Sequence, residues 1–268
     1  MYGSSHLFAL SSALLPSALL PALLDTAGVS AREVPANIQC LYDALRANGT
    51  CRHQLATGFF AKDDGPSTFF YCGDHLADFG YVYLKGPDSA LADMDVDCDG
   101  VQHGPGDDGR CASSNDTQAE TSFQGIVAGY NKGITDLNPF VHPYVVFGNR
   151  GSKPGWPTFD PREYGIEPHA VVPVVCNNQL HFAVWGDENG DDGDKPMIGE
   201  ASISLATLCF GDSVNGNSGH DGADVLYMPF AGPDAVPGPD GADWAATTPQ
   251  AFEASLEAIG TRLLQRIP

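Results

Sequence analysis

Ala170-Val171-Val172-Pro173-Val174-Val175-Cys176 and Leu180-His181-Phe182-Ala183-Val184-Trp185, joined through Asn177-Asn178, are the stretch on which the fold turns. Both runs are apolar, Val-rich and of strand length, and an Asn pair accepts the left-handed backbone of a tight hairpin. Comparable runs lie at residues 68–71, 81–84, 143–147, 197–205 and 225–230, separated by Gly, Pro, Asn and Asp. That pattern predicts a mainly β (β-rich α+β) single domain, with an antiparallel or mixed barrel-like sheet and a few short helices. Helices are expected at 37–47, with Asn37 as N-cap, and at 117–129, where Thr117 and Glu120 form a capping-box pattern. A C-terminal helix should start at Thr248-Pro249, because Phe252, Leu256, Ile259 and Leu263 share one face.

Residues 1–31 stand apart. Residues 7–24 are uncharged and rich in Ala, Leu and Ser, and Val29-Ser30-Ala31 has the small-residue spacing of a secretory cleavage site. Pro16, Pro21 and Asp25 interrupt the run, against the roughly 20 clean apolar residues of a spanning helix. The expectation is a signal peptide over 1–31, a secreted and extracellular protein, and no membrane partner. Asn48-Gly49-Thr50 and Asn115-Asp116-Thr117 are glycosylation sequons that agree with that route. Seven cysteines without a CxxC pair favour disulfides over zinc in such a chain. Cys98 with Cys111 and Cys40 with Cys51 are the pairings suggested, with one thiol left over.

The formal net charge of −21 becomes −20 once the leader's Asp25 is set aside. Phosphate binding needs the opposite sign, so nucleic acid is excluded as a partner. A polycation is suited, because an anionic surface raises its local concentration.

The chemistry concentrates where Trp185-Gly186-Asp187-Glu188-Asn189-Gly190-Asp191-Asp192 meets Ile198-Gly199-Glu200-Ala201-Ser202. Asp187 lies among polar loop groups and is expected to stay ionised as a general base. Glu200 sits among Ile198, Gly199, Ala201 and Ile203, so desolvation should keep it protonated as a general acid, although the roles can be exchanged. Trp185 is a candidate floor for a sugar subsite. Asp93, Asp95, Asp97 and Asp99 alternate toward Gly100; period-two spacing in an extended segment would present all four on one face. The same pattern resembles the start of a calcium loop, but counting from Asp95 the twelfth position is Gly106 rather than Glu. His142, His169 and His181 lack metal-ligand spacing and read as structural.

These residues together resemble the fungal chitosanases of glycoside hydrolase family 75. The Trp185–Asp192 and Ile198–Leu205 blocks carry the likeness, with Asp93–Gly100, His142-Pro143-Tyr144-Val145-Val146-Phe147-Gly148-Asn149, Phe159-Asp160-Pro161 and Tyr164-Gly165-Ile166. It runs from about residue 37 to residue 210, with no further block recognised from Asp212 onward, and Asp194-Lys195 departs from the pattern. The resemblance implies a catalytic domain over 32–268 that cleaves chitosan internally with inversion. Its essential carboxylates fall on Asp187 and Glu200, and it needs no cofactor or metal. Asp93, Asp95, Asp97 and Asp99 become candidates for reading the substrate's amines, and the protein is expected to act as a monomer. A calcium-dependent carbohydrate-binding or matrix protein is the alternative from another class, and a binding-only relative a third.

Overall fold

The computed structural model describes residues 1–3, 32–62, 64–191 and 193–268. The chain falls into two units, Met1–Ser30 and Ala31–Pro268. Apart from Met1, Tyr2 and Gly3, the leader read over 1–31 lies outside the described residues, and the second unit is the subject below.

It opens with helix α1 (Ala36–Ala47). The antiparallel strands β1 (Gln54–Phe59), β2 (Phe69–Cys72) and β3 (Tyr83–Lys85) follow, with a single helical turn α2 (Leu76–Phe79) between the last two. The remaining elements in chain order are β4 (Ala92–Asp97), α3 (Gln124–Gly129), β5 (Tyr144–Asn149), β6 (Val171–Cys176), β7 (Gln179–Asn189), β8 (Glu200–Ser202), α4 (Ile203–Phe210), β9 (His220–Tyr227) and α5 (Pro249–Leu264). Six strands close a barrel in the order β4-β8-β5-β7-β6-β9, with β9 pairing back onto β4. The pairing is mixed: β4–β8 and β5–β7 are parallel, the rest antiparallel. Closure leaves these six without a free edge. The mainly β reading with a barrel-like sheet and a C-terminal helix holds.

The hairpin forms as its composition requires. All six residues of β6 are buried, and Asn177 and Asn178 turn the chain at φ 47° and 57°. Pro173 is tolerated in mid-strand for a geometric reason. Its carbonyl accepts from Met228 N, so its missing N–H also faces β9, where paired residues end at Val174↔Tyr227. Helix α5 packs across this hairpin: Gly260 lies so close to Phe182 that an added Cβ would meet the ring at 2.3 Å. Buried Glu253 ties it down, accepting from Arg32 Nη1 at 2.8 Å and Phe182 N at 3.2 Å.

Several expectations need correction. Residues 197–205 do not continue as one strand. Pairing stops at Ser202, whose Oγ accepts from Leu205 N and caps α4. The helix expected from Thr117 starts only at Gln124, and Thr117 Oγ1 has no hydrogen-bond partner among the described residues, so the capping box does not form. Asn37 lies inside α1 and donates to Ile267 O at 2.8 Å instead of capping. The disulfides are Cys51–Cys72, Cys98–Cys111 and Cys176–Cys209. Cys98–Cys111 is as expected; Cys40 is free and exposed, so Cys40–Cys51 is wrong. Among the described residues no helix is long and apolar enough to cross a membrane.

Candidate active site

Strand register places the two singled-out carboxylates. Glu200 of β8 pairs with Asp95 of β4 on one side and Val146 of β5 on the other, and Val146 pairs with Asp187 of β7. Asp95, Glu200, Val146 and Asp187 therefore form one row across four strands. Laterally paired residues project to the same face, and all four line a cleft of about 820 Å³. Two strand steps of about 4.8 Å separate the backbones of Glu200 and Asp187 by about 9.6 Å. Side chains converging from that spacing suit the roughly 6.5–9.5 Å of an inverting carboxyl pair better than the 5–5.5 Å of a retaining one.

Glu200 enters the row through Gly199, at φ +93°, where an added Cβ would lie 2.6 Å from Asp93 Oδ1. Only glycine meets both conditions. Asn189 Nδ2 donates to Glu200 Oε2 and to Met197 O, fixing the carboxylate against the end of β7.

Asp187 departs from expectation. It lies within β7, not in a loop, and is only 4 % exposed. Its Oδ1 accepts from Ser122 N at 3.0 Å, Glu188 N at 2.7 Å and Ser122 Oγ, whereas Oδ2 is buried without a partner among the described residues. Burial pushes its carboxyl up to about 6, against the pull of those hydrogen bonds. Glu200 is half-buried. The contrast between the two carboxylates is real, but it runs opposite to the one read from their sequence neighbours.

Asp97 and Asp99 converge on Asp187: one carboxylate oxygen of each of the three lies within 4.8 Å of the others. Asp97 accepts from Asp99 N at 2.7 Å, and Asp99 from Gln118 N at 2.6 Å. Burial first, and then Asp99 and Asp187, hold Asp97 well above the ordinary carboxylate range. Asp95, Asp97 and Asp99 all line the cleft, but so do Val96 and Cys98 between them and Asp93 does not, so the single four-Asp face expected from the spacing does not form.

Two singled-out residues do not reach it. Trp185 is fully buried, with Nε1 donating to Asp187 O at 2.8 Å and the ring edge-on to Phe123. With no exposed face it cannot floor a sugar subsite; it braces the backbone beneath Asp187. Asp93 is 1 % exposed beneath the cleft, and both its carboxylate oxygens lack hydrogen-bond partners among the described residues. Burial, then Asp95, raises it to about 8. The folded protein thus holds a proton there that the unfolded chain, with an ordinary aspartate near 3.8, releases. This contribution to stability is whole below about pH 4 and is lost as pH rises through about 8. Asp93→Asn should raise the melting temperature at pH 8 by several degrees, about 2–4 kcal/mol, and leave it nearly unchanged at pH 4. Parallel melting curves across that range would contradict the assignment.

His142 and His169 are buried and lowered to about 4, burial being the leading cause. His142 Nδ1 accepts from Asn138 N at 2.8 Å while Nε2 faces Trp244 O at 3.1 Å, the pattern of a neutral structural ring.

Eleven carboxylates and two lysines, Lys62 and Lys195, are among the described residues that line the cleft, and no aromatic ring is among them. Charge and hydrogen bonds, not ring stacking, are what this surface offers. Sequence reasoning missed Ser122, Asn189 as a partner of Glu200, and a wall built from residues 114–118 and 216–221. Asn217 Nδ2 donates to Ser113 O at 2.6 Å and joins the two halves of that wall.

Fold and site together define a β-barrel protein with a strongly anionic cleft equipped for acid/base hydrolysis. Residues 94–266 match the model of the fungal chitosanases of glycosyl hydrolase group 75, so the likeness extends well past residue 210, where the sequence blocks had ended, and the chain belongs to that family. It is 41 % identical over 239 residues to an endo-chitosanase of Aspergillus fumigatus, covering 88 % of this chain and 92 % of that protein. An Aspergillus oryzae endo-chitosanase is 39 % identical over 242 residues, 88 % of this chain and 93 % of the relative. Endo-chitosanase B of Aspergillus oryzae is 40 % identical over 241 residues, 88 % and 92 % of the two chains.

Proposed function

We propose that this protein is a secreted endo-chitosanase, hydrolysing β-1,4 glucosamine linkages by inverting acid/base catalysis from Asp187 and Glu200. The observation that carries the reading is the row Asp95–Glu200–Val146–Asp187 across an anionic cleft. Protonated glucosamine units enter a surface of the opposite sign, and Asp95, Asp97 and Asp99 receive their ammonium groups.

Burial supports one assignment of the roles. An acid must hold its proton in the mildly acidic water that keeps chitosan charged, and a carboxyl raised to about 6 does so. Asp187 gives that proton to the glycosidic oxygen as the C1–O bond breaks. Glu200, half-buried and oriented by Asn189, takes a proton from the water whose oxygen attacks C1 from the opposite face. Asp187 ends ionised and Glu200 protonated, and exchange with solvent resets both. Asp93, below the floor, serves the fold and does not touch the polymer. Three disulfides suit an extracellular setting, and the protein acts as a monomer on one chain of substrate. Family membership disfavours the calcium-dependent binding alternative.

Inversion is tested by proton NMR of a chito-oligosaccharide digest. The α-anomer should appear first at the new reducing end; the β-anomer appearing first would contradict this mechanism.

A further inference from the structure

Residues 121 and 122 are consecutive hydroxyl residues, and each gives its N–H and its O–H to a different buried carboxylate. Thr121 N and Oγ1 donate to Asp136 at 2.8 and 2.6 Å, and Leu137 N adds a third donor at 2.7 Å. Ser122 N and Oγ donate to Asp187 Oδ1. Asp136 and Thr121 are 2 % and 4 % exposed. This turn is therefore pinned from below by one carboxylate while it grips the other.

The grip is one-sided. With three donors on Oδ1, the lone pairs of that oxygen are engaged, and a proton there would compete with all three. Oδ2 has no hydrogen-bond partner among the described residues, so it is the oxygen left to carry the proton. We propose that Ser122, locked in place by Asp136 through Thr121, is a positioning residue that fixes the orientation of the Asp187 carboxyl and keeps its proton off Oδ1. This rests on the reading of Asp187 as the general acid, but its test separates the two.

Other charges face Asp187. Asp97 and Asp99 reach it from β4 and the turn that follows, and Asp136 from the segment before β5. Glu188, next along β7, is held by Arg162 at 2.6 Å and Arg150 at 3.2 Å, and Glu200 occupies the same row. Ser122→Ala alters none of them. It deletes one donor to the ionised form of Asp187, which favours the protonated form.

In the full chain, Ser122→Ala should lower kcat on chitosan about 10- to 100-fold, the rate equivalent of one charge-assisted hydrogen bond, with KM nearly constant. The alkaline limb of the kcat–pH profile should move to higher pH, while the melting temperature stays close to wild type. Ser122→Thr, which keeps the hydroxyl, should restore both rate and limb. Thr121→Val, which frees the turn from one Asp136 bond but spares the site, should move the same limb by less. A lower rate with an unmoved limb, or no rescue by Thr, would overturn the positioning role. A shift of the acidic limb instead would keep Ser122 as positioner and overturn Asp187 as the acid.

Discussion

Asp187→Asn should lower kcat on chitosan by about 10²- to 10⁴-fold with little change in KM, the range expected for loss of a general acid. The substitution is nearly isosteric, and its Oδ1 can still accept from Ser122 and Glu188 N, so the barrel should survive intact. What disappears is the proton that the proposed mechanism delivers to the leaving oxygen. Glu200→Gln should cost a comparable factor, because the amide cannot take a proton from water, though it can still meet Asn189. The wild-type rate should fall as pH rises through about 6, where Asp187 loses its proton. Kinetics of both variants against circular dichroism of the folded state checks this. A folded Asp187→Asn enzyme at wild-type rate would remove Asp187 from the chemistry.

Raising salt from about 0.01 M to 0.3 M should raise KM for polymeric chitosan about 10-fold or more with kcat nearly constant. The cleft sets eleven carboxylates against two lysines and offers no aromatic platform among its described lining residues. Long-range attraction therefore supplies much of the binding, and the screening length falls from about 30 Å to below 10 Å across that range. A KM indifferent to salt would reduce the net charge of −21 to a device for solubility.

Much of the fold was legible because its signals are local. The β6–β7 hairpin, the Thr248-Pro249 start of α5 and the period-two aspartates of β4 are each carried by one short, continuous stretch of sequence. Strand β1 was not, since irregular register between Gln54 and Ala56 and between Thr57 and Phe59 breaks its alternation. Helix α4 hid behind an apolar run that suits strand and helix alike, and only the Ser202 cap decides it. Disulfide pairing depends on which loops meet, so one suggested bridge was right and the other wrong.

The site divides along the same line. Asp187 and Glu200 were visible because both stand in one short segment. Their environments were not, because what surrounds them comes from afar. Asp97 and Asp99 arrive from a strand some ninety residues earlier, and Ser122 from a turn read as helix. Those neighbours bury Asp187 and raise its carboxyl, which is what supports the proposed exchange of the acid and base roles. Trp185 shows the same limit: its place next to Asp187 in sequence suggested a contact with sugar, but a strand residue two positions back belongs to the interior here.

The most direct measurement is the viscosity of a chitosan solution after adding the purified protein, beside an equal amount of folded Asp187→Asn. The expected result is a rapid fall for the wild type, early relative to the release of reducing ends, and a flat trace for the variant. Equal falls for both would contradict the assignment of Asp187, and no fall for either would contradict endo-hydrolysis itself.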